Sequence, residues 1–214
     1  LYIHADTMRS WDITPALWLA PYTVIDVNPG VLPAYVPFLD VHIKTKFCRN
    51  YTTSNVVGFI PGIVKDTFMV FTAHYDHLGA MGNAYFAGAH DNASGVALML
   101  DVAKNISQKQ PYYSICFIAF SAEEIGLLGS DFFVRNPLFP LANIKALINL
   151  DIVGTGSEGV MIVNGANVPT VAQLQQINTD KNYVSAMHVR ANAMNSDHYP
   201  FTLQKVPACF IYTL

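Results

Sequence analysis

The chain has 214 residues, of which 52% are hydrophobic and 13% charged, and its formal net charge is −3. That length and apolar content predict one packed domain spanning residues 1–214 and exclude a disordered or repetitive chain. The mild negative charge excludes the basic footprint of a nucleic-acid binder. No apolar run approaches the roughly 20 residues of a membrane span, and Leu1 opens no signal-peptide pattern.

Residues 1–37 read as irregular, because prolines 15, 21, 29, 33 and 37 break any long helix. Within them YTVIDV fits a short strand, and Trp11 and Trp18 read as covers for an edge of the core, with binding as the alternative. From Val36 to Phe47 apolar and polar residues alternate, which predicts a half-buried strand. NVVGFI, the turn PGIVKD and FMVFTA read as a hairpin feeding a sheet, its last strand ending at His74.

Val96, Met99, Leu100, Ala103 and Ile106 recur at helical spacing and predict a helix over 94–107, with Asn92 or Ser94 as its cap. YYSICFIAF is the next strand. A helix follows over 127–134, stopped by Pro137 and Pro140, then the strand KALINLD ending at Asp151. GVMIVNG reads as a strand, 169–178 as a helix, MHVRA as a short strand, HYPFTLQK as a short helix and ACFIYTL as a final strand. Alternating strands and helices predict an α/β fold of three layers, with a mixed, mainly parallel central sheet flanked by helices. Cys116 and Cys209 lie in apolar runs and read as small core residues; with Cys48 they show no metal or redox spacing.

Chemistry gathers where these strands finish. His74 ends one, Asp151 another, and Glu123 and Glu124 follow a third, while Asp91 stands just before a helix. Ligands of open α/β sheets collect at strand C-termini. One imidazole with several carboxylates suits zinc, cobalt or manganese, and the lack of a cysteine ligand argues against a structural zinc site. Adjacent glutamates point in different directions, so one can hold a metal while the other faces water or substrate; the alternative is a solvated loop. Asp76, two residues after His74, is placed to accept the second imidazole N–H. His74 alone would read as a hydrogen-bonded core residue, and His77 and His90 as pocket wall or support. Asp91 can bridge two ions about 3.5–4 Å apart or simply cap a helix.

HYDHLG, GAHDNASGV, FSAEEIGLLGS, NLDIVG and SDHYPF, in that order over about 55–214, resemble the zinc-dependent aminopeptidases of the co-catalytic two-zinc type. Glutamate carboxypeptidases and glutaminyl cyclases are more distant relatives. The resemblance implies a zinc exopeptidase fold, peptide substrates and two Zn2+ ions. It implies that His74 and Asp151 hold one ion and Glu124 the other, with Asp91 as bridge. It gives Glu123 as general base toward a water held at the ions, and Asp76 as the residue that orients His74. It also implies a non-proline cis peptide between Asp91 and Asn92.

The resemblance places a second histidine ligand beyond the last strand, and this sequence ends at Leu214 without it. The expectation is therefore a chain truncated at its C-terminus, with an incomplete second site and little activity alone. His198 is expected near the substrate pocket, or as the substitute ligand. Tyr212 is expected to line the pocket or assist the oxyanion, with core packing as the alternative. A periplasmic or extracellular location follows from the resemblance alone. The rival readings are a single-zinc glutaminyl cyclase and an inactive binding module on the same fold.

Overall fold

A computed structural model describes residues 2–4, 22, 24–26, 36–43, 47–81 and 83–214. The chain divides into two units, Leu1–Thr52 and Thr53–Leu214. In the first, β1 (Tyr2–His4) and β2 (Val24–Asp26) pair in parallel. The second begins with β3 (Val56–Ile60), β4 (Val64–His74) and a small hairpin of β5 (Ala80–Met81) and β6 (Ala84–Tyr85). An irregular turn, Ala89–Ala93, leads into α1 (Ser94–Ile106). Then come β7 (Tyr113–Phe120), α2 (Leu128–Arg135), β8 (Ile144–Leu150) and β9 (Val160–Val163). The chain closes with α3 (Pro169–Lys181), β10 (Met187–Arg190), α4 (His198–Leu203) and β11 (Ala208–Thr213).

Seven of these strands form the main sheet, in the order β10-β9-β11-β8-β4-β7-β3. The central four, β11, β8, β4 and β7, run parallel, while β9 is antiparallel to β11 and β3 antiparallel to β7. Parallel strands need cover on both faces, and β7 carries apolar side chains on both. Ile115 and Phe117 belong, with Met99 of α1, to a core cluster that runs along the sheet as far as Val171 of α3. Cys116, Ile118 and Phe120 pack with Phe133 of α2 and Phe201 of α4. Phe120, Phe133 and Phe201 meet with centroids 5.9–6.2 Å apart, pinning the C-terminal end of β7 between two helices. No helix among the described residues is long and apolar enough to cross a membrane.

The predicted mixed, mainly parallel, three-layer architecture matches this unit, and the short strand in YTVIDV is β2. Two expectations fail. β3 and β4 do not form a hairpin, because β7 lies between them. The connection crosses the start of β7, where Ile63 N–H donates to Pro111 O at 3.0 Å and Val64 N–H to Tyr112 O at 2.8 Å. A strand as apolar as β7 buries more of itself with a ladder on each edge than β3 and β4 would gain by pairing together. The strand expected over Val36 to Phe47 is also missing at the described positions 36–43, which are irregular, with Phe38 81% exposed. Alternation alone makes no strand without a neighbour to pair with, and no described strand pairs there. Positions 44–46, Trp11 and Trp18 lie outside the described residues.

Candidate metal centre

The sheet order explains how the site assembles. β8, β4 and β7 are adjacent and parallel, so their C-terminal ends lie side by side. His74 is the last residue of β4, Asp151 follows β8, and Glu123 and Glu124 follow β7. Asp91 arrives from the turn before α1, with a cis peptide between Asp91 and Asn92. The side chain that meets the first turn of α1 is Asn92, just before the N-cap Ala93, and not Asp91: Asn92 Oδ1 accepts from Gly95 N–H at 3.0 Å and from Ile152 N–H at 3.2 Å, and its Nδ2 donates to Leu150 O at 3.0 Å. Asp91 is thereby left free to face the strand ends.

His74 is the hub. Its Nε2 lies 3.1 Å from Asp91 Oδ1 and 3.2 Å from Asp151 Oδ1. Two sets of donor atoms, each within 4.8 Å of one another, share it: His74, Asp91 and Glu124, and His74, Glu123 and Asp151. Burial works against charge on His74, but the surrounding carboxylates of Asp151, Asp76 and Asp91 favour the protonated ring, overcome it and hold its pKa above the ordinary value. The contact with His74 holds Asp91 below the usual carboxylate range, against burial. Glu123 is pushed up to about 8, chiefly by burial; attraction to His74 opposes the rise, and repulsion from Asp197, Asp151 and Glu124 adds to it. Glu124 is raised too, by burial and then by Asp91.

Asp76 acts differently from the sequence expectation. Its carboxylate Oδ1 is 3.7 Å from His74 Nδ1, while its main-chain carbonyl is 3.2 Å away and takes that bond. The carboxylate accepts instead from the backbone N–H groups of Glu123 at 3.2 Å and Glu124 at 3.3 Å. Asp76 therefore anchors the turn that carries both glutamates, and fixes the His74 tautomer through its backbone. His77 Nδ1 lies 2.6 Å from Glu124 Oε1, and His90 Nδ1 accepts from Gly154 N–H at 3.2 Å.

Residues the sequence reading passed over complete the support. Thr72 Oγ1 donates to Asn149 Oδ1 at 2.6 Å, Asn149 Nδ2 to Ser196 Oγ at 2.7 Å, and Ser196 Oγ to Asp151 Oδ2 at 2.6 Å. The available signal was Asn149, a lone amide inside an apolar strand. Asp197 is fully buried, its carboxylate oxygens have no close hydrogen-bond partner among the described residues, and burial pushes it up to about 7 against the nearby Ser130 hydroxyl.

His198 is buried at the start of α4. Its Nε2 lies 3.1 Å from Asn192 Oδ1 and its ring 5.7 Å from that of Phe210; burial lowers its pKa to about 4. It belongs to neither donor set. The Tyr212 hydroxyl accepts from Arg190 Nη1 at 3.2 Å, and the Arg190 guanidinium lies 5.7 Å from the Tyr212 ring.

These residues fit a hard or borderline cation. Five carboxylates, Asp76, Asp91, Glu123, Glu124 and Asp151, are gathered in a largely buried space around one imidazole. Negative charge held this far from water needs a compensating cation, and imidazole with carboxylate is a zinc-compatible donor set.

Comparison with known proteins places the fold and motifs together. The pattern of Peptidase family M28 matches residues 55–213. Aminopeptidase YwaD of Bacillus subtilis (strain 168) is 38% identical over 119 residues, covering 54% of this chain and 25% of YwaD. Leupeptin-inactivating enzyme 1 of Streptomyces exfoliatus is 29% identical over 182 residues, 79% of this chain and 39% of that protein. The crystal structure of BSAP, a zinc aminopeptidase from Bacillus subtilis, superposes with a TM-score of 0.64 at 30% identity, over 77% of this chain and 41% of that one. An Acidobacteriales bacterium glutaminyl cyclase shares the fold, with a TM-score of 0.61 at 24% identity over 73% of this chain and 57% of that one. The chain thus spans 25% and 39% of the length of the two curated relatives. With the family pattern covering nearly all of the second unit, the chain belongs to Peptidase family M28.

Proposed function

We propose that this chain carries the catalytic centre of a zinc-dependent aminopeptidase, which releases N-terminal residues from peptides. The observation that carries the reading is the convergence of Asp91 and Asp151 on His74 Nε2, with Glu123 and Glu124 in the same cluster. His74 and Asp151 would hold one zinc ion, Glu124 a second, and Asp91 would bridge them. Bound zinc supplies Lewis acidity toward a scissile carbonyl and lowers the pKa of a water.

The remaining work falls to the chain's own groups. The Glu123 carboxylate takes a proton from the attacking water and delivers it to the leaving nitrogen. Its burial supports this role, because a carboxyl group out of water holds a transferred proton more readily. Asp76 keeps Glu123 and Glu124 in place through their backbone N–H groups. The surplus of carboxylates attracts the positive amino terminus of a peptide, which favours cleavage from that end.

The test is a zinc-supplemented assay on peptides with free and with acetylated N-termini, followed by mass spectrometry. Release of the first residue from the free peptides alone is expected. Glu123→Gln should lower the rate about 10²–10⁴-fold while zinc content stays the same. Equal cleavage of acetylated peptides, or cyclisation of N-terminal glutamine in place of cleavage, would refute the reading. Elemental analysis of the purified chain separates one bound zinc from two.

A further inference from the structure

His77 has no place in the donor sets, yet it makes a short polar contact with one of their members: Nδ1 lies 2.6 Å from Glu124 Oε1. Among the described residues it is the one hydrogen-bond partner of the Glu124 carboxylate. Asp76 fixes the Glu124 backbone but leaves the side chain free to turn. Glu124 lies past the end of β7 on an irregular stretch, where no helix or ladder limits it further.

The imidazole itself is clamped. Phe86 meets it edge-on, with ring centroids 6.4 Å apart and planes at 74°. Gly88 also lies against the ring: it has φ +65, and a Cβ there would stand 3.0 Å from His77 Cδ2. Glycine at 88 thus lets the backbone come close to the ring and adopt a left-handed conformation that other residues resist. Phe86 N–H donates to Gly79 O at 2.9 Å, closing the β5–β6 hairpin over this packing.

We propose that His77 is a positioning residue for Glu124: its Nδ1–H occupies Oε1, fixes the rotamer and leaves Oε2 for a cation. This rests on the metal reading above. A carboxylate held in one rotamer before the ion arrives loses less freedom on binding, and partners of this kind are worth about 10–100-fold in metal affinity.

The experiment measures zinc dissociation constants of the intact chain against a chromophoric chelator. His77→Phe keeps a flat ring against Phe86 and Gly88 but removes the donor; His77→Asn places an amide N–H near the position of Nδ1. Circular dichroism and thermal melts check that both fold. The expected result is a roughly 10–100-fold weaker zinc site in His77→Phe, with His77→Asn close to wild type. In a Glu124→Gln background, His77→Phe should then change little. If wild type and His77→Phe bind zinc equally, or if His77→Asn loses affinity as fully as His77→Phe, the inference is overturned while the metal reading stands. If the wild-type chain binds no zinc, the metal reading itself fails and the inference goes with it.

Discussion

Asn149 sits in β8 among Ala146, Leu147, Ile148 and Leu150, with no exposure to solvent. A buried amide costs about 1–3 kcal/mol for each polar group left unpaired. Here its carbonyl and its amino group are both engaged, and donation runs one way from Thr72 through Asn149 and Ser196 to Asp151 Oδ2. The relay leaves Oδ1 toward His74. Asn149→Leu, close in size, should therefore do two things. Stability should fall by about 1–3 kcal/mol, because the Thr72 hydroxyl loses its acceptor and the Ser196 oxygen its donor in a dry place. Zinc should also bind more weakly, because Ser196 loses the Asn149 donor that orients it and so holds the Asp151 carboxylate less firmly. Urea denaturation and chelator competition measure the two effects, and an unchanged urea midpoint would count against the relay.

At the level of elements, the N-terminus of α1 decides whether Asp91 reaches the site. A Cβ on Gly95 would stand 2.3 Å from both Leu150 O and Asn92 Oδ1. Only glycine lets the helix start so close to the end of β8, and that closeness lets Asn92 hold Leu150 O and Ile152 N–H while Asp91 faces His74. Gly95→Ala should push α1 outward, at an overpacking cost of about 1–3 kcal/mol. Zinc affinity should drop with it, because the bridging carboxylate moves with the helix. A Gly95→Ala protein as stable and as zinc-avid as wild type would mean that the approach of α1 to β8 does not set the site.

For the whole molecule, the clustered carboxylates oppose folding until a cation balances them. A ligand that binds only the folded chain adds about 2.7 kcal/mol of stability at one hundred times its dissociation constant. For a chain of this size that corresponds to a rise in Tm of about 5–10 °C. Zinc should produce that rise, EDTA should reverse it, and sodium chloride at matched ionic strength should not reproduce it. Scanning fluorimetry reads all three, and a melt indifferent to zinc and EDTA would show that the cluster is balanced in some other way.

Helices and strands could be read from the sequence because the spacing of apolar residues is a local property: α1, β7, β8 and β11 stand within a few residues of where periodicity puts them. The site's acids were equally visible, since a carboxylate or imidazole closing an apolar strand is itself a local anomaly. Pairing is not local. That β7 inserts between β3 and β4 depends on which arrangement buries more of β7, and no stretch of 53–74 records it. Partners of polar side chains depend on the same distant packing. Asp76 meets backbone groups 47 and 48 residues away, where its own neighbour His74 had been the expected partner. His198 is buried beside Phe210 at the start of α4. The sequence by itself determined which groups could do chemistry; only the tertiary structure decided which of them face each other, because those contacts are side effects of how the sheet closes its core.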